Sequence, residues 1–440
     1  MSEKAKSGAG FMTKIFISQA AKYVGQSVQI QGWVYNFRSS GSIYFLQIRD
    51  GSGFIQAIVS KSAVSGKVWH NCEKITLETS VELEGTITKH PKKEEYELQV
   101  SDLKIVQIAE EYPISKKEHG PDFLLDNRHL WLRSPKQWAI QRVRNTVISA
   151  IYQYLNQNGF IKIDSPILTP TSCEGTTTLF GLDYFDLGKA YLSQSGQLYL
   201  EAAIFSHGRV FDFGPVFRAE KSKTRRHLTE FWMMDAEMAF VQHEENMKIQ
   251  EELIMFIIKQ VLEKNQQELE ILERDLELLK KVKAPFLRMT YNEAVKKLQK
   301  LGSKITENDD FGAEDETLLT QDVGQPVFVE KWPGQIKAFY MKRDESGKLA
   351  LCDDLIAPEG FGEIIGGSER EDDYQKMLQR IRADKLPLEA FQWYLDLRKY
   401  GSVPHSGFGV GLERLVGWLC GIHHIRETIP FPRMINRIKP

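Results

Sequence analysis

Cysteine is scarce in this sequence. The 440 residues hold four, Cys72, Cys173, Cys352 and Cys420, and no two are close enough to form a Cys-x-x-Cys pair. That spacing argues against a disulfide framework or a zinc knuckle and fits a reducing compartment, so a cytoplasmic location is expected. Long hydrophobic runs are missing too. No apolar stretch reaches the roughly 18 residues a membrane-spanning helix needs, and no membrane partner is expected. The opening MSEKAKSGAGF lacks the apolar segment of a secretory signal, so residues 1–12 read as a flexible lead-in. Neither sign of charge dominates: 57 Lys and Arg against 59 Asp and Glu leave a net charge of −2. The total does not point to nucleic acid, yet it leaves room for a local basic surface.

Several catalytic signatures are absent. None of the pairs Gly66-Lys67, Gly188-Lys189 and Gly347-Lys348 is followed by Ser or Thr, which excludes a P-loop. No G-x-G-x-x-G opens a strand–helix unit, and neither H-E-x-x-H nor G-x-S-x-G occurs. His423 and His424 are adjacent and cannot share a helix face, which weakens a metal site there. No internal repeat is found.

What is present is the material for a large globular chain: 42% apolar and 11% aromatic residues over a length that suggests two to three domains. From Ile15 to Ile108 short alternating strands (VQIQGWVYNFR, SIYFLQIRD, GFIQAIVS, SVELEGTITKH, YELQVSDLKIVQI) follow a helix-like SQAAKYVG. Five such strands in so short a span predict a small closed barrel. Residues 111–136 mix Pro, Gly, charge and isolated apolar positions and read as a partly helical hinge. Residues 137–440 then cluster strands and helices without strict alternation, which predicts α+β with an antiparallel sheet. Helices are expected over Trp138–Tyr154, over 244–279 as one or two segments, and at 372–383. Strands are expected at RVFDFGPVFRAE, TEFWMMDAEMAF, QPVFVEKW, IKAFYM, KLALCDDLIA, GEIIGG and SGFGVGLE.

Three segments could carry chemistry. Arg218 and Glu220 stand two apart on a strand and so face one side. Arg can grip a phosphate with paired N–H groups, Glu can accept from an exocyclic amine, and the aromatic Phe231 on the return strand can stack on a base. Alone, the segment reads equally as a solvated hairpin with surface ion pairs. SGFGVGLERL puts three glycines in five residues, which costs strand stability and points to a close backbone approach. Arg414 follows at a helix start, where a phosphate could bind, although tight strand–helix packing explains the glycines as well. The third, GFIKIDSP ending at Pro166, is plain structure or a dimer contact.

In order, these three segments resemble the three signature motifs of the class II aminoacyl-tRNA synthetases, and the resemblance runs over nearly the whole chain from Ile15. A barrel ahead of the catalytic domain is similar to the subgroup charging aspartate, asparagine and lysine. The runs EGTTTLF, QSGQLYLE, RRHLTEFWMMDAEMAF, GEIIGGSERE and GSVPHSGFGVGLER resemble the asparaginyl members in particular. The resemblance implies an OB-fold anticodon-binding domain over 13–110, a hinge over 111–136, and a class II catalytic domain over 137–440. It also implies a homodimer that uses ATP, L-asparagine and tRNA(Asn).

Residue roles follow from the same resemblance. Arg218 would bind the α-phosphate and stabilise the transition state, and Arg414 would hold the γ-phosphate side of a bent ATP; these are the expected catalytic pair. Glu220 would contact the adenine amino group and Phe231 stack on its ring, while Arg226 and His227 in the intervening basic loop could reach the terminal phosphates. Asp354 and Glu363 resemble the family's magnesium sites, whose hard oxygens suit Mg²⁺. Gly366 stands where some relatives carry Ser, which puts a third protein ligand in doubt and leaves a place that water could take. Glu174, Ser195 and Gln197 would hold the substrate amino group. Asp235 and Arg370 would face the side chain, where an amide offers Arg370 an oxygen and Asp235 an NH₂. Aspartyl members carry a Lys where this chain has Leu200, which favours asparagine over aspartate. In the barrel, Arg38, Phe45 and Gln56 match anticodon contacts: Phe45 would stack on a base and Gln56 read its edge. By composition alone Phe45 would be core. The rivals are an aspartyl enzyme, an adenylate-forming asparagine synthetase and a non-catalytic paralogue.

Overall fold

The computed structural model describes residues 12–440 apart from 116, 174–178, 223 and 322. The chain divides between Leu124 and Leu125 into two compact units.

In the first unit five strands, Ser27–Ser40, Ile43–Arg49, Phe54–Ser60, Ser80–Lys89 and Tyr96–Gln107, close a barrel. Ser27–Ser40 pairs on one side with Ile43–Arg49 and on the other with Ser80–Lys89, which completes the ring. Phe54–Ser60 runs parallel to Tyr96–Gln107, and the other barrel pairings are antiparallel. Period-two alternation decides the faces: Leu46, Ile48, Ile55, Ala57 and Val59 point inward and are buried. Two strand contacts are so close that only glycine fits. A Cβ on Gly32 would lie 2.4 Å from the Arg49 carbonyl oxygen, and one on Gly85 2.3 Å from that of Gln99. The predicted helix at SQAAKYVG is a 3₁₀ turn, Ile17–Tyr23.

The second unit is built on a nine-stranded sheet. Its order is Leu287–Thr290, Val327–Pro333, Leu349–Ala357, Gly362–Glu369, His405–Gly411, Glu230–Ala239, Arg209–Phe211, Ile161–Lys162, with Gly214–Phe217 also on Glu230–Ala239. Only the outermost pairs are parallel, so the antiparallel expectation holds for the centre. The helices Pro135–Gln157, His243–Lys264 and Leu412–Cys420 bury their apolar stripes against the sheet in one continuous core. The last ends at Gly421 with φ +70°.

Three elements differ from expectation. RVFDFGPVFRAE is two strands, Arg209–Phe211 and Gly214–Phe217, and Arg218 and Glu220 follow the second in irregular backbone, so the strand spacing expected to put them on one face does not apply. The segment 244–279 forms three helices, His243–Lys264, Gln266–Ile271 and Leu276–Lys280, with Glu273 at positive φ forcing a turn before the last. IKAFYM is not a strand. A 3₁₀ turn at Gly334–Ile336 and the Arg343 guanidinium, which donates to the Gly334 and Met341 carbonyls, hold it as a loop. Phe339 and Tyr340 are sunk into a satellite core. All four cysteines are buried and free. Among the described residues no helix is long and apolar enough to cross a membrane.

Candidate active site

The central strands build a trench. Asp235, Gly409, Gly366 and Asp354 are register neighbours on four adjacent strands, so they form one row across a single face of the sheet. The next row begins Glu237, Gly407, Ser368. The glycines are small because the acids lean over them. A Cβ on Gly407 would lie 2.0 Å from Glu237 Oε1, and one on Gly409 2.7 Å from Asp235 Oδ1. The flat object that the Gly-rich strand approaches is thus first of all its own neighbour.

Two adjoining cavities open over this trench, of about 290 and 310 Å³. The first is lined by Ser195, Gln197, Asp235, Arg370 and Asp354. The second is lined by Glu220, Arg226, His227, Phe231 and Arg414. Arg218, Glu363, Glu316 and Gly409 line both. The residues predicted for an amino acid and those predicted for a nucleotide therefore fall into separate chambers that meet at Arg218. Glu174 lies outside the described residues.

In the first chamber Asp235 is the organiser. Its Oδ2 accepts from the Ser195 hydroxyl and from the Gly196 N–H, both at 2.8 Å, which pins the start of the helix Gln197–His207. Gln197 donates through Nε2 to Glu201 at 3.0 Å. Arg370 is bound by Glu237, with Nη2 to Oε1 at 2.5 Å and Nε to the same oxygen at 3.1 Å. Both side chains are almost wholly buried. Burial alone would weaken the arginine's hold on its proton, but the Glu237 carboxylate more than offsets this and keeps it charged. Leu200 lies in the apolar cluster with Ile204 and Val210 and does not line the cavity.

In the second chamber Arg218 lies over the Phe231 ring, its guanidinium carbon 5.7 Å from the centroid. Phe231 packs on Leu228, Ile425 and Ile429, which gives a flat apolar wall beside a cation. Arg414 donates to the Glu363 carbonyl at 2.9 Å. His227 sits 3.8 Å from Glu220; burial and then the Arg414 charge lower its pKa, so the imidazole is held neutral. Arg226 is not poised in open space. It donates to Glu316 at 2.5 Å and to Thr317 at 2.8 Å, and also to the Gly360 carbonyl.

On the barrel, Arg38 lies directly opposite Phe45, and Gln47 opposite Gln56, on adjoining strands. Cross-strand partners share a face, and this face is the outer one. Phe45 is half-buried, with the exposed Arg38 guanidinium 4.4 Å above its ring. It is therefore a surface ring with a cation over it, not core.

Comparison with known proteins gives the family. The family of class II tRNA synthetases for D, K and N matches residues 120–435, and the OB-fold nucleic acid binding domain matches 28–106. An asparagine–tRNA ligase of Desulforamulus reducens is 53% identical over 98% of this chain and 100% of its own. The asparaginyl-tRNA synthetase of Pyrococcus horikoshii, solved with asparaginyl-adenylate, superposes with a TM-score of 0.93 at 44% identity, covering 97% of this chain and 99% of that one. That of Entamoeba histolytica, also with asparaginyl-adenylate, gives 0.89 at 31%, covering 98% and 100%. The chain belongs to the class II asparaginyl-tRNA synthetases.

A class II synthetase of this group works with a divalent metal and ATP, and the donor chemistry here fits one. Asp354 and Glu363 lie on paired strands and flank Gly366, whose Cβ would stand 3.0 Å from Glu363 Oε1 and 3.9 Å from Asp354 Oδ1. Burial, partly opposed by Lys337 and reinforced by Glu363, raises the Asp354 pKa to about 7. Burial raises that of Glu316 to about 7 as well, with Glu363 again adding to the shift. Clustered carboxylates that resist losing their protons are what a cation would relieve.

For this synthetase three site residues escaped the sequence reading. Lys337 donates to Asp354 Oδ2 at 2.8 Å and lies 3.7 Å over the Trp332 ring; a lysine inside the apolar IKAFYM was the available signal. Glu316 lines both chambers from a segment with weak patterning. Glu237 is the second acid of Asp-Ala-Glu, and its period-two spacing from Asp235 puts it on the same face.

Proposed function

We propose that the protein is an asparagine–tRNA ligase. It joins L-asparagine to ATP as asparaginyl-adenylate, releasing pyrophosphate, and passes the acyl group to the terminal ribose of tRNA(Asn). The observation that carries this reading is the pair of chambers meeting at Arg218. The substrate carboxylate is itself the nucleophile, so the site needs to position and to stabilise charge, and no protein nucleophile is required.

In this reading Glu174, Ser195 and Gln197 hold the amino group. Arg218 binds the α-phosphate where the two substrates meet, and Arg414 the far end of the triphosphate. Glu220 takes the adenine amine and Phe231 stacks on the ring. His227 reaches the terminal phosphates directly, whereas Arg226 does so only by leaving Glu316. Mg²⁺, held by Asp354 and Glu363, would neutralise phosphate charge. Selection of asparagine rests on charge. Arg370 is already neutralised by Glu237, so the pocket has no spare cation there for a carboxylate, and Asp235 would repel one. A neutral amide offers Arg370 an acceptor and Asp235 a donor. Arg38, Phe45 and Gln56 read the anticodon.

A cytoplasmic homodimer completes the proposal, with residues 111–136 as a hinge between barrel and catalytic domain. Phe185 and Leu187 are 87% and 83% exposed, apolar surface that a second copy would cover. Sedimentation giving only a monomer would remove the dimer. The Arg218→Ala variant tests the site: asparagine-dependent ATP–pyrophosphate exchange should vanish, and near-normal exchange would overturn the phosphate assignment.

A further inference from the structure

Four consecutive backbone carbonyls beside the nucleotide chamber are held by two arginines from far upstream in the sequence. The 3₁₀ turn Ile425–Glu427 ends there, and residues 428–430 form neither helix nor strand, so helix and sheet bonds do not reach these carbonyls. A buried carbonyl must then find its donor elsewhere. Arg128 supplies three of them. Its Nε donates to the Pro430 carbonyl at 2.7 Å, and its Nη2 to those of Ile429 at 2.8 Å and Glu427 at 3.2 Å. The side chain is fully buried, and its guanidinium carbon lies 4.7 Å from the Trp131 ring centroid. Burial lowers its pKa to about 10 against the pull of the Glu427 carboxylate, so it is charged at neutral pH. The fourth carbonyl, that of Thr428, accepts from Arg144 Nη1 at 3.2 Å. Arg144 in turn pairs with Glu413 at 2.7 Å, and Glu413 accepts from the Trp232 N–H at 3.0 Å.

This stretch carries a wall of the chamber. Ile429 lies within it and Ile425 just before it, and with Leu228 they form the apolar cluster on which Phe231 packs. Ile425 and Leu228 also line the chamber itself. We propose that Arg128 is a positioning residue for the nucleotide: by fixing Glu427–Pro430 it sets the plane of the Phe231 ring and the width of the slot beside it, and it touches no substrate. The proposal rests on the adenine reading given above. The Phe231 backbone is fixed by its strand, but its ring rests on Ile425 and Ile429, whose chain takes its shape from the two arginines. Stacking depends on how the ring face meets the base, so a shifted backing weakens it. Arginine suits this task better than lysine, because one planar fork reaches three carbonyls at fixed angles, whereas an ammonium is a compact point charge on a flexible stem. Arg128 stands in the stretch 111–136 read above as a hinge, so part of that stretch belongs to the nucleotide site.

Asparagine-dependent ATP–pyrophosphate exchange by the full-length protein tests this, because it yields separate KM values for ATP, pyrophosphate and asparagine. Arg128→Lys keeps the charge but not the fork. It should raise the KM for ATP at least about fivefold, the low end of what stacking one base on an aromatic ring contributes. The KM values for pyrophosphate and asparagine, neither of which enters the adenine slot, should stay within about twofold of the parent. Arg128→Met removes all three donors and should raise the ATP value further; if it folds poorly, the lysine variant decides alone. An unchanged KM for ATP in Arg128→Lys overturns the proposal. So does a fall in kcat with all three KM values unchanged, or a rise in all three together, each the mark of a merely structural role. Phe231→Leu separates the two levels. If it raises the KM for ATP and Arg128→Lys does not, only the role of Arg128 is wrong; if it leaves that KM unchanged, the adenine reading fails and the positioning role with it.

Discussion

Asp235 and Asp354 stand at the two ends of one row across the sheet, with Gly409 and Gly366 alone between them. Two acids separated by two missing side chains make a trench with a charged wall at either end. The glycines are thus part of the site's shape, and Gly409 is where this can be tested. A Cβ there would lie 2.7 Å from Asp235 Oδ1 and must push that carboxylate off Ser195 and Gly196. Because a misplacement of about 1 Å can cost about a hundredfold in rate, Gly409→Ala should lower asparagine-dependent exchange by roughly that factor with little change in melting temperature. Activity within threefold of the parent would show that Asp235 is not the organiser.

The Arg370–Glu237 pair carries a stability prediction. Removing one partner of a buried ion pair strands the other charge and costs about 3–5 kcal/mol. Glu237→Ala should lose about that much in urea unfolding, whereas Glu237→Gln, which keeps an acceptor for the guanidinium, should lose less. A loss under about 1 kcal/mol for the alanine variant would mean that water or another acid reaches Arg370.

Asp212 gives a pH dependence with a definite sign. Burial, and then the nearby Asp235, raise its pKa from 3.8 to about 7. A group that holds its proton more tightly when folded contributes stability below its unfolded pKa and loses it as pH rises through the folded value. The native protein should therefore lose stability relative to Asp212→Asn between about pH 4 and about pH 7. Melting temperatures measured across that window should diverge in favour of the variant as pH rises. A constant or shrinking gap would contradict the raised pKa.

Much of this was legible in the sequence because it is encoded locally. Period-two alternation gave the five barrel strands to within two residues of their ends, and the Gly-rich strand and its helix lie where their spacing put them. What failed depended on tertiary context. Composition put Phe45 in the core, but its register with Arg38 places it outside. IKAFYM has the apolar content of a strand, yet Arg343 and a satellite core draw it into a loop, and that loop delivers Lys337 to Asp354. Arg226 looked free within a basic loop, while its partner Glu316 is 90 residues away in sequence. Glu237 was hidden because an acid beneath an arginine has no sequence signature beyond its spacing. Leu200 is plain core, so its value lay only in the lysine it replaces.

The central claim is that this pocket activates asparagine and refuses aspartate. Amino-acid-dependent ATP–pyrophosphate exchange, run without tRNA on the unmodified protein with each amino acid in turn, tests it most directly. Exchange driven by asparagine, with aspartate at background, is the expected result. Exchange driven by aspartate would keep the class II chemistry but contradict the charge argument built on Asp235, Arg370 and Glu237.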